Sequence, residues 1–237
     1  MPVPSGNWLF IKWTHFGKLN PFNMKKFVSS LLTIALFVSV TAKAQNYYSD
    51  IQGNVLKENR ADEAEGSPYL KDTWGIGSAT IAKGTYDNMK LKYDLKNDVL
   101  VFASKDNVPM SFAEPVTRFI IDGMKFASGF PAIGAQVKDS YYQVLSDGKT
   151  KLLKHLAKHI EETKTYGSAT ANRTYVATAT YYVFKDDKMS AIKPDKKAVM
   201  AVMADKAGQM EDYLKNNKVN FKNDADLSQL FDKYNSL

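Results

Sequence analysis

The chain has 237 residues, 44% of them apolar, 24% charged and 12% aromatic, and it contains no cysteine. Without a thiol it can form no disulfide, cysteine-ligated zinc site, iron–sulfur cluster, cysteine nucleophile or lipid anchor on an N-terminal cysteine. The formal net charge of +7 invites a nucleic-acid reading, but Lys12, Lys18, Lys25, Lys26 and Lys43 lie in residues 1–44, a stretch without a single acid; removing those five from the 32 basic residues leaves 27 against 25 acidic ones. The concentrated cationic face needed to displace counterions from a duplex is not indicated, and no nucleic-acid partner is expected.

Residues 1–23 carry Pro2, Pro4 and Pro21, show no periodicity, and read as an extension from an upstream start. Residues 24–44 have the order of a secretory signal peptide. Met24-Lys25-Lys26 is cationic, Phe27–Val40 is an uncharged run of 14 residues, and Thr41-Ala42-Lys43-Ala44 puts small residues three and one before a cut at Gln45. Such a run spans about 21 Å as a helix, short of the roughly 30 Å hydrocarbon core, so cleavage rather than anchoring is expected. The expected location is periplasmic or extracellular, with no integral membrane segment after cleavage between Ala44 and Gln45.

Residues 45–73 read as a polar leader that joins the fold near Tyr69-Leu70. Residues 74–192 read as a β-meander region. Trp74–Ala82 forms a strand, Lys83-Gly84 a hairpin turn, and Leu91, Tyr93 and Leu95 alternate with charged residues as in a half-buried strand. Lys96-Asn97-Asp98 turns the chain into Val99–Phe102, and Lys105-Asp106-Asn107 turns it toward Met110–Phe112. Pro115 cannot donate to a ladder, so a break or edge is expected before Val116–Ile121. Residues 122–140 read as a long connection, Tyr141–Leu145 as a strand, and Asp147-Gly148 as a second hairpin turn. Residues 149–162 fit either a helix (Leu152, Leu156, Ile160) or an alternating strand; the turn before them favours the strand. Tyr175–Phe184 is a strand rich in threonine, tyrosine and valine, and Lys185–Lys188 is a turn.

Residues 193–237 change period. Ala198, Val199, Val202 and Met203 mark one short helix after Pro194; Met210, Tyr213 and Leu214 a second; Leu227, Leu230, Phe231 and Tyr234 a third, with Asp224 as N-cap. The fold class is therefore α+β: eight or nine antiparallel strands in a meander, as a sandwich or partial barrel, then two or three helices forming one domain with the sheet.

Chemistry-bearing patterns are few. His155, His159 and Glu162 are the best metal candidates: on a helix, spacings of four and three would place two imidazoles and a carboxylate on one face. On a strand Glu162 would point away from the two histidines, and the carboxylate of an H-E-x-x-H helix is missing because Leu156 follows His155. Two solvated histidines are the expectation, with no metal, cofactor or catalytic residue assigned. No G-x-S-x-G elbow is present, and Pro68 after Ser67 could not supply an oxyanion amide. Asp186-Asp187 and Glu161-Glu162 read as solvated charge rather than a glycosidase pair. Gly75-Ile76-Gly77 lacks a third glycine and any GK[ST], and Asp94–Asp98 lacks the glycine and distal glutamate of a calcium loop. Tyr47-Tyr48, Tyr141-Tyr142 and Tyr181-Tyr182 should each send one ring to the core and one outward; the outward rings could form a sugar or peptide platform, but ordinary sheet packing is the favoured account.

Glu65-Gly66-Ser67-Pro68-Tyr69-Leu70, Leu91-Lys92-Tyr93-Asp94-Leu95 with Asp98 and Leu100, Glu114-Pro115-Val116 with Phe119, and the stretch from Leu230 through Tyr234 to Leu237 occur together. Over most of the length after residue 45 the chain resembles an uncharacterised family of exported proteins from Gram-negative Bacteroidota. The resemblance implies a periplasmic or extracellular place and brings no known activity, ligand or site residue. The expectation is an exported envelope protein, a non-enzymatic module that binds an envelope protein or small ligand through a sheet face or edge, or a structural component. The alternative is a metal-dependent enzyme using His155, His159 and Glu162.

Overall fold

Alternating apolar residues between tight turns can bury one face only by pairing sideways, and the chain does so along nearly all of its β region. The computed structural model describes residues 53–55, 64–164 and 171–237. The residues read as an extension (1–23), as a signal (24–44) and as most of the leader, Tyr47-Tyr48 included, lie outside the described residues.

Eleven strands among the described residues form one antiparallel sheet. They are β1 Gly53–Val55, β2 Gly75–Ile81, β3 Gly84–Asp94, β4 Val99–Ala103, β5 Pro109–Phe112, β6 Arg118–Ile121, β7 Met124–Ala127, β8 Tyr142–Ser146, β9 Lys151–Thr163, β10 Asn172–Lys185 and β11 Lys188–Ile192. Their order is β1-β5-β4-β3-β2-β6-β7-β8-β9-β10-β11. The α+β expectation is met, with two departures. More than eight or nine strands form, because β1 lies in the supposed leader, β7 in the supposed connection, and β11 follows directly on the Asp186-Asp187 turn. The sheet is also two meanders rather than one. After β5 the chain passes Pro115, which cannot extend a ladder, and returns to the opposite edge of β2, where Ala79 pairs with Phe119.

The pairing at β2–β6 requires glycine. A Cβ on Gly77 would lie 1.7 Å from the Ile120 carbonyl oxygen, at a register shift between Gly77 and Ala79. The Gly75-x-Gly77 pattern is thus explained by close backbone approach, not by phosphate binding.

Residues 149–162, read either way from the sequence, are strand: β9 and β10 pair without interruption from Asn172↔Thr163 to Phe184↔Lys151. The sheet curls so that the β3–β4 turn reaches this long hairpin. The Lys158 N–H donates to the Leu95 carbonyl at 3.1 Å, and the Lys158 ammonium donates to the carbonyls of Ser67 (3.0 Å) and Tyr69 (2.6 Å).

Inside the curl lie Met89, Leu91, Tyr93, Phe119, Ile121 and Phe126, all essentially inaccessible. Phe119 and Phe126 stack at 4.6 Å, and Tyr93 meets both edge-on at 5.2 Å. The same face continues onto Leu152 and Val183, which the C-terminal helices cover.

Those helices are α1 Lys196–Val202, α2 Ala207–Asn216 and α3 Asp224–Ser236, with a 3-10 turn at Ala204–Lys206. Asp195 caps α1 by accepting from the Ala198 N–H. Asn223, not Asp224, caps α3 by accepting from the Asp226 N–H. Asp224 is instead turned toward the sheet, where it accepts from the Tyr181 hydroxyl at 2.7 Å and pairs with Lys154 at 2.6 Å. Leu227, Leu230, Phe231 and Tyr234 repeat at helical spacing and are buried against the sheet. Asn235 completes the dock by accepting from the Thr150 N–H and donating to the Thr150 carbonyl, both at 2.9 Å. No helix among the described residues is long and apolar enough to cross a membrane.

The opposite face of β7–β10 holds a third cluster of Phe130, Tyr142, Leu153 and Tyr182. Because both faces are covered here, the paired tyrosines do not divide into one buried and one outward ring. Tyr141 and Tyr142 are both buried, as is Tyr182, while Tyr181 is half-buried against α3.

Candidate functional site

The structure does not bring His155, His159 and Glu162 together. On β9 they stand opposite Thr180, Val176 and Arg173 of β10. The two histidines share a face, but four residues of strand separate them by about 13 Å, several times what one metal ion can bridge. Glu162 falls on the other face by parity. Among the described residues no group of three or more His, Asp or Glu side chains is placed to hold a metal ion.

His155 has an internal role that sequence spacing could not show. Its side chain is only 12% exposed, its ring meets Tyr142 edge-on at 5.6 Å, and its Nε2 lies 4.0 Å from the Asp98 carboxylate. Burial pushes the imidazole pKa down, with Asp98 opposing that shift. The Asp98 carboxylate also accepts from the Tyr93 hydroxyl at 2.6 Å and from the Tyr141 N–H at 3.2 Å. The Tyr141 hydroxyl donates to the Val116 carbonyl at 2.8 Å. Desolvation raises all three phenols, Tyr142 to about 12, so none supplies a phenolate near neutral pH. Asp98 thus ties the β3–β4 turn to β8 and β9; this is a structural knot closing the curl.

A concavity among the described residues lies on the outer face of β2, β6, β7 and β8, with a volume of about 400 Å³. Strand parity builds it. Ala79, Phe119 and Phe126 point into the curl, so Ser78 and Thr80 on β2, Arg118 and Ile120 on β6, and Lys125 and Ala127 on β7 point out. Thr85 extends the row from β3 and bonds the Thr80 hydroxyl at 2.9 Å. Phe130 and Val144, from the third cluster, close one side.

The charges of this cleft are unevenly satisfied. Lys151 pairs with Asp147 at one end. Arg118 and Lys125 are exposed and make no ion pair among the described residues, and Asp87 is the remaining acid of the lining. The arrangement offers two free cations beside a row of hydroxyls and an apolar wall. It can hold an anionic group and hydrogen-bond a polyol, and it contains no histidine and no nucleophile–base pair.

Sequence reasoning missed this site. The Arg118-x-Ile120 and Lys125-x-Ala127 alternations were visible, but their neighbours on β2 come from the β2–β6 crossover, which no local pattern specifies. Of the other motifs, Asp94 accepts from the Lys96 and Asn97 amides, an Asx turn rather than a calcium loop. Asp186 and Asp187 both take positive φ, 50° and 59°, in the β10–β11 turn.

Comparison with known proteins adds no identity: no family model matches the chain, and neither the curated proteins nor the solved structures contain a match to it.

Proposed function

We infer that this protein is an exported, non-enzymatic binding module of a Gram-negative cell envelope, and that its ligand is a small anionic polyol such as an acidic saccharide. Export is supported by the charge, apolar run and small-residue order of Met24–Ala44. The observation that carries the binding reading is that Arg118 and Lys125, without an ion pair among the described residues, stand beside the Ser78, Thr80 and Thr85 hydroxyls in a cleft of about 400 Å³. Guanidinium and ammonium groups recognise a carboxylate, the hydroxyls match sugar hydroxyls, and Ile120, Val144 and Phe130 give the apolar side of a pyranose a surface.

The test is thermal-shift titration of the protein with oligogalacturonate and, for comparison, neutral maltotriose. At 100 times the dissociation constant a ligand adds about 2.7 kcal/mol of stability. Stabilisation by the acidic sugar alone, abolished in Arg118→Ala, is expected; an equal response in that variant, or none in the wild type, refutes the reading. N-terminal sequencing of the protein recovered from the envelope fraction should begin at Gln45.

A further inference from the structure

We propose a second binding site, distinct from the cleft: the open stretch of the β10 edge at Val176–Thr180 accepts a short extended segment of a partner protein as an added strand.

Along one edge β10 is fully paired with β9. Along the other, described residues pair with it only at its ends. At the far end the Glu65 N–H donates to the Arg173 carbonyl at 2.8 Å and the Tyr175 N–H donates to the Glu65 carbonyl at 3.0 Å. At the near end β11 pairs with it from Tyr181↔Ile192 to Lys185↔Lys188. Between these walls no described residue pairs with the backbone of β10. The backbone groups of Arg173 and Tyr175 point toward this edge, so by strand alternation those of Ala177 and Ala179 do as well. The notch therefore presents two N–H donors and two carbonyl acceptors in strand register, over about 17 Å.

Three features keep the notch open. Gly66, at φ +91°, turns the chain away from β10 toward its contacts with β3. Pro194, two residues past Ile192, has no N–H with which to prolong β11. The side chains are small: Ala177, Thr178, Ala179 and Thr180 are all exposed and uncharged, whereas free edges are ordinarily guarded by lysine, proline or a bulge.

The walls also select the occupant. Two copies pairing antiparallel through Thr178 would set Tyr181 of one against Tyr175 of the other. Those edge positions are already held by β11 and Glu65, so the notch cannot receive its own like. A single strand fits if it is about five residues long and ends or turns at both walls. Opposite Ala177 and Ala179 it would lie between Tyr175 and Tyr181, where the alanines leave room for branched or aromatic side chains. The partner segment is thus uncharged, rich in β-branched or aromatic residues, free of proline and bounded by turn residues.

The probe is a fluorescein-labelled peptide of alternating threonine and valine, five residues between two glycines, titrated by anisotropy against the whole chain. Saturable binding is expected, weakened at least tenfold in Ala179→Pro, which removes an edge N–H without touching the β9 ladder. Amide exchange covers the case in which that variant does not fold: in the wild type, peptide should slow exchange at Ala177 and Ala179 at least tenfold and leave Thr178, bonded to β9, unchanged. No binding, undiminished binding to the folded variant, or unaltered alanine amides would overturn the proposal. So would protection of those amides that rises with protein concentration in the absence of peptide. None of these outcomes bears on the acidic-sugar cleft, which lies on other strands.

Discussion

The Tyr93 hydroxyl donates to the Asp98 carboxylate at 2.6 Å, so the residue that ends the β3–β4 turn is held by the ring at the centre of the aromatic core. Hydrogen bonds to charged groups contribute about 1.5–3 kcal/mol, and Tyr93→Phe should lower the urea midpoint accordingly. At Asp98 itself φ is 55°. Asparagine tolerates that region and alanine does not, so Asp98→Asn should cost less than Asp98→Ala.

His155 should make stability depend on pH in one direction. Its folded pKa is depressed by burial, so the unfolded chain takes up the proton first. The groups facing it are Asp98 from the β3–β4 turn and Tyr142 from β8. Stability is therefore full above the ordinary histidine pKa of about 6.5, falls as pH drops through it, and levels off below the folded value. Denaturation midpoints measured from pH 7.5 to 5 should show this decline, and His155→Gln should flatten it.

Tyr142→Phe should leave stability unchanged or raise it by up to about 1 kcal/mol. The Tyr142 hydroxyl is the one buried side-chain polar atom without a hydrogen bond among the described residues. Removing an unsatisfied buried hydroxyl lifts its desolvation cost while the ring keeps its contacts with Phe130 and Tyr182. A clear loss in melting temperature would contradict this.

Gly77→Ala and Gly123→Ala separate two uses of glycine. At Gly77 the added methyl would sit 1.7 Å from a carbonyl oxygen of β6, so the two strands must part, at a cost above about 3 kcal/mol. At Gly123 nothing lies within 4 Å, and only the φ of +80° resists, at about 1–3 kcal/mol. Parallel urea titrations should rank the two variants in that order.

What could be read from the sequence was local. The alternation of Leu91, Tyr93 and Leu95 and the Asp147-Gly148 turn each depend on neighbours in the chain, and all three apolar residues are buried as expected. The helices were legible because Leu227, Leu230, Phe231 and Tyr234 repeat at a spacing that only a helix turns to one side. The return of β6 to β2 depends on partners about forty residues apart, for which no periodicity exists. The same gap hid the cleft, whose hydroxyls and cations lie on opposite sides of that crossover. The burial of both Tyr141 and Tyr142 depends on a loop folding over the outer face at Tyr142, brought there by Phe130.

The long β9–β10 arm will breathe. Beyond Leu156 its attachment to the body among the described residues consists of the Lys158 contacts with Ser67, Tyr69 and Leu95 and the short pairing with Glu65, and its outer residues His159, Glu161 and Glu162 are exposed. Lifting of the arm alone therefore opens the Lys158 amide to solvent deuterium, whereas those of Ala157, His159 and Glu161, which face β10, exchange when the outer hairpin itself unzips. Those of Leu152 and Leu153, packed on both sides of the sheet, will wait for the whole molecule to come apart.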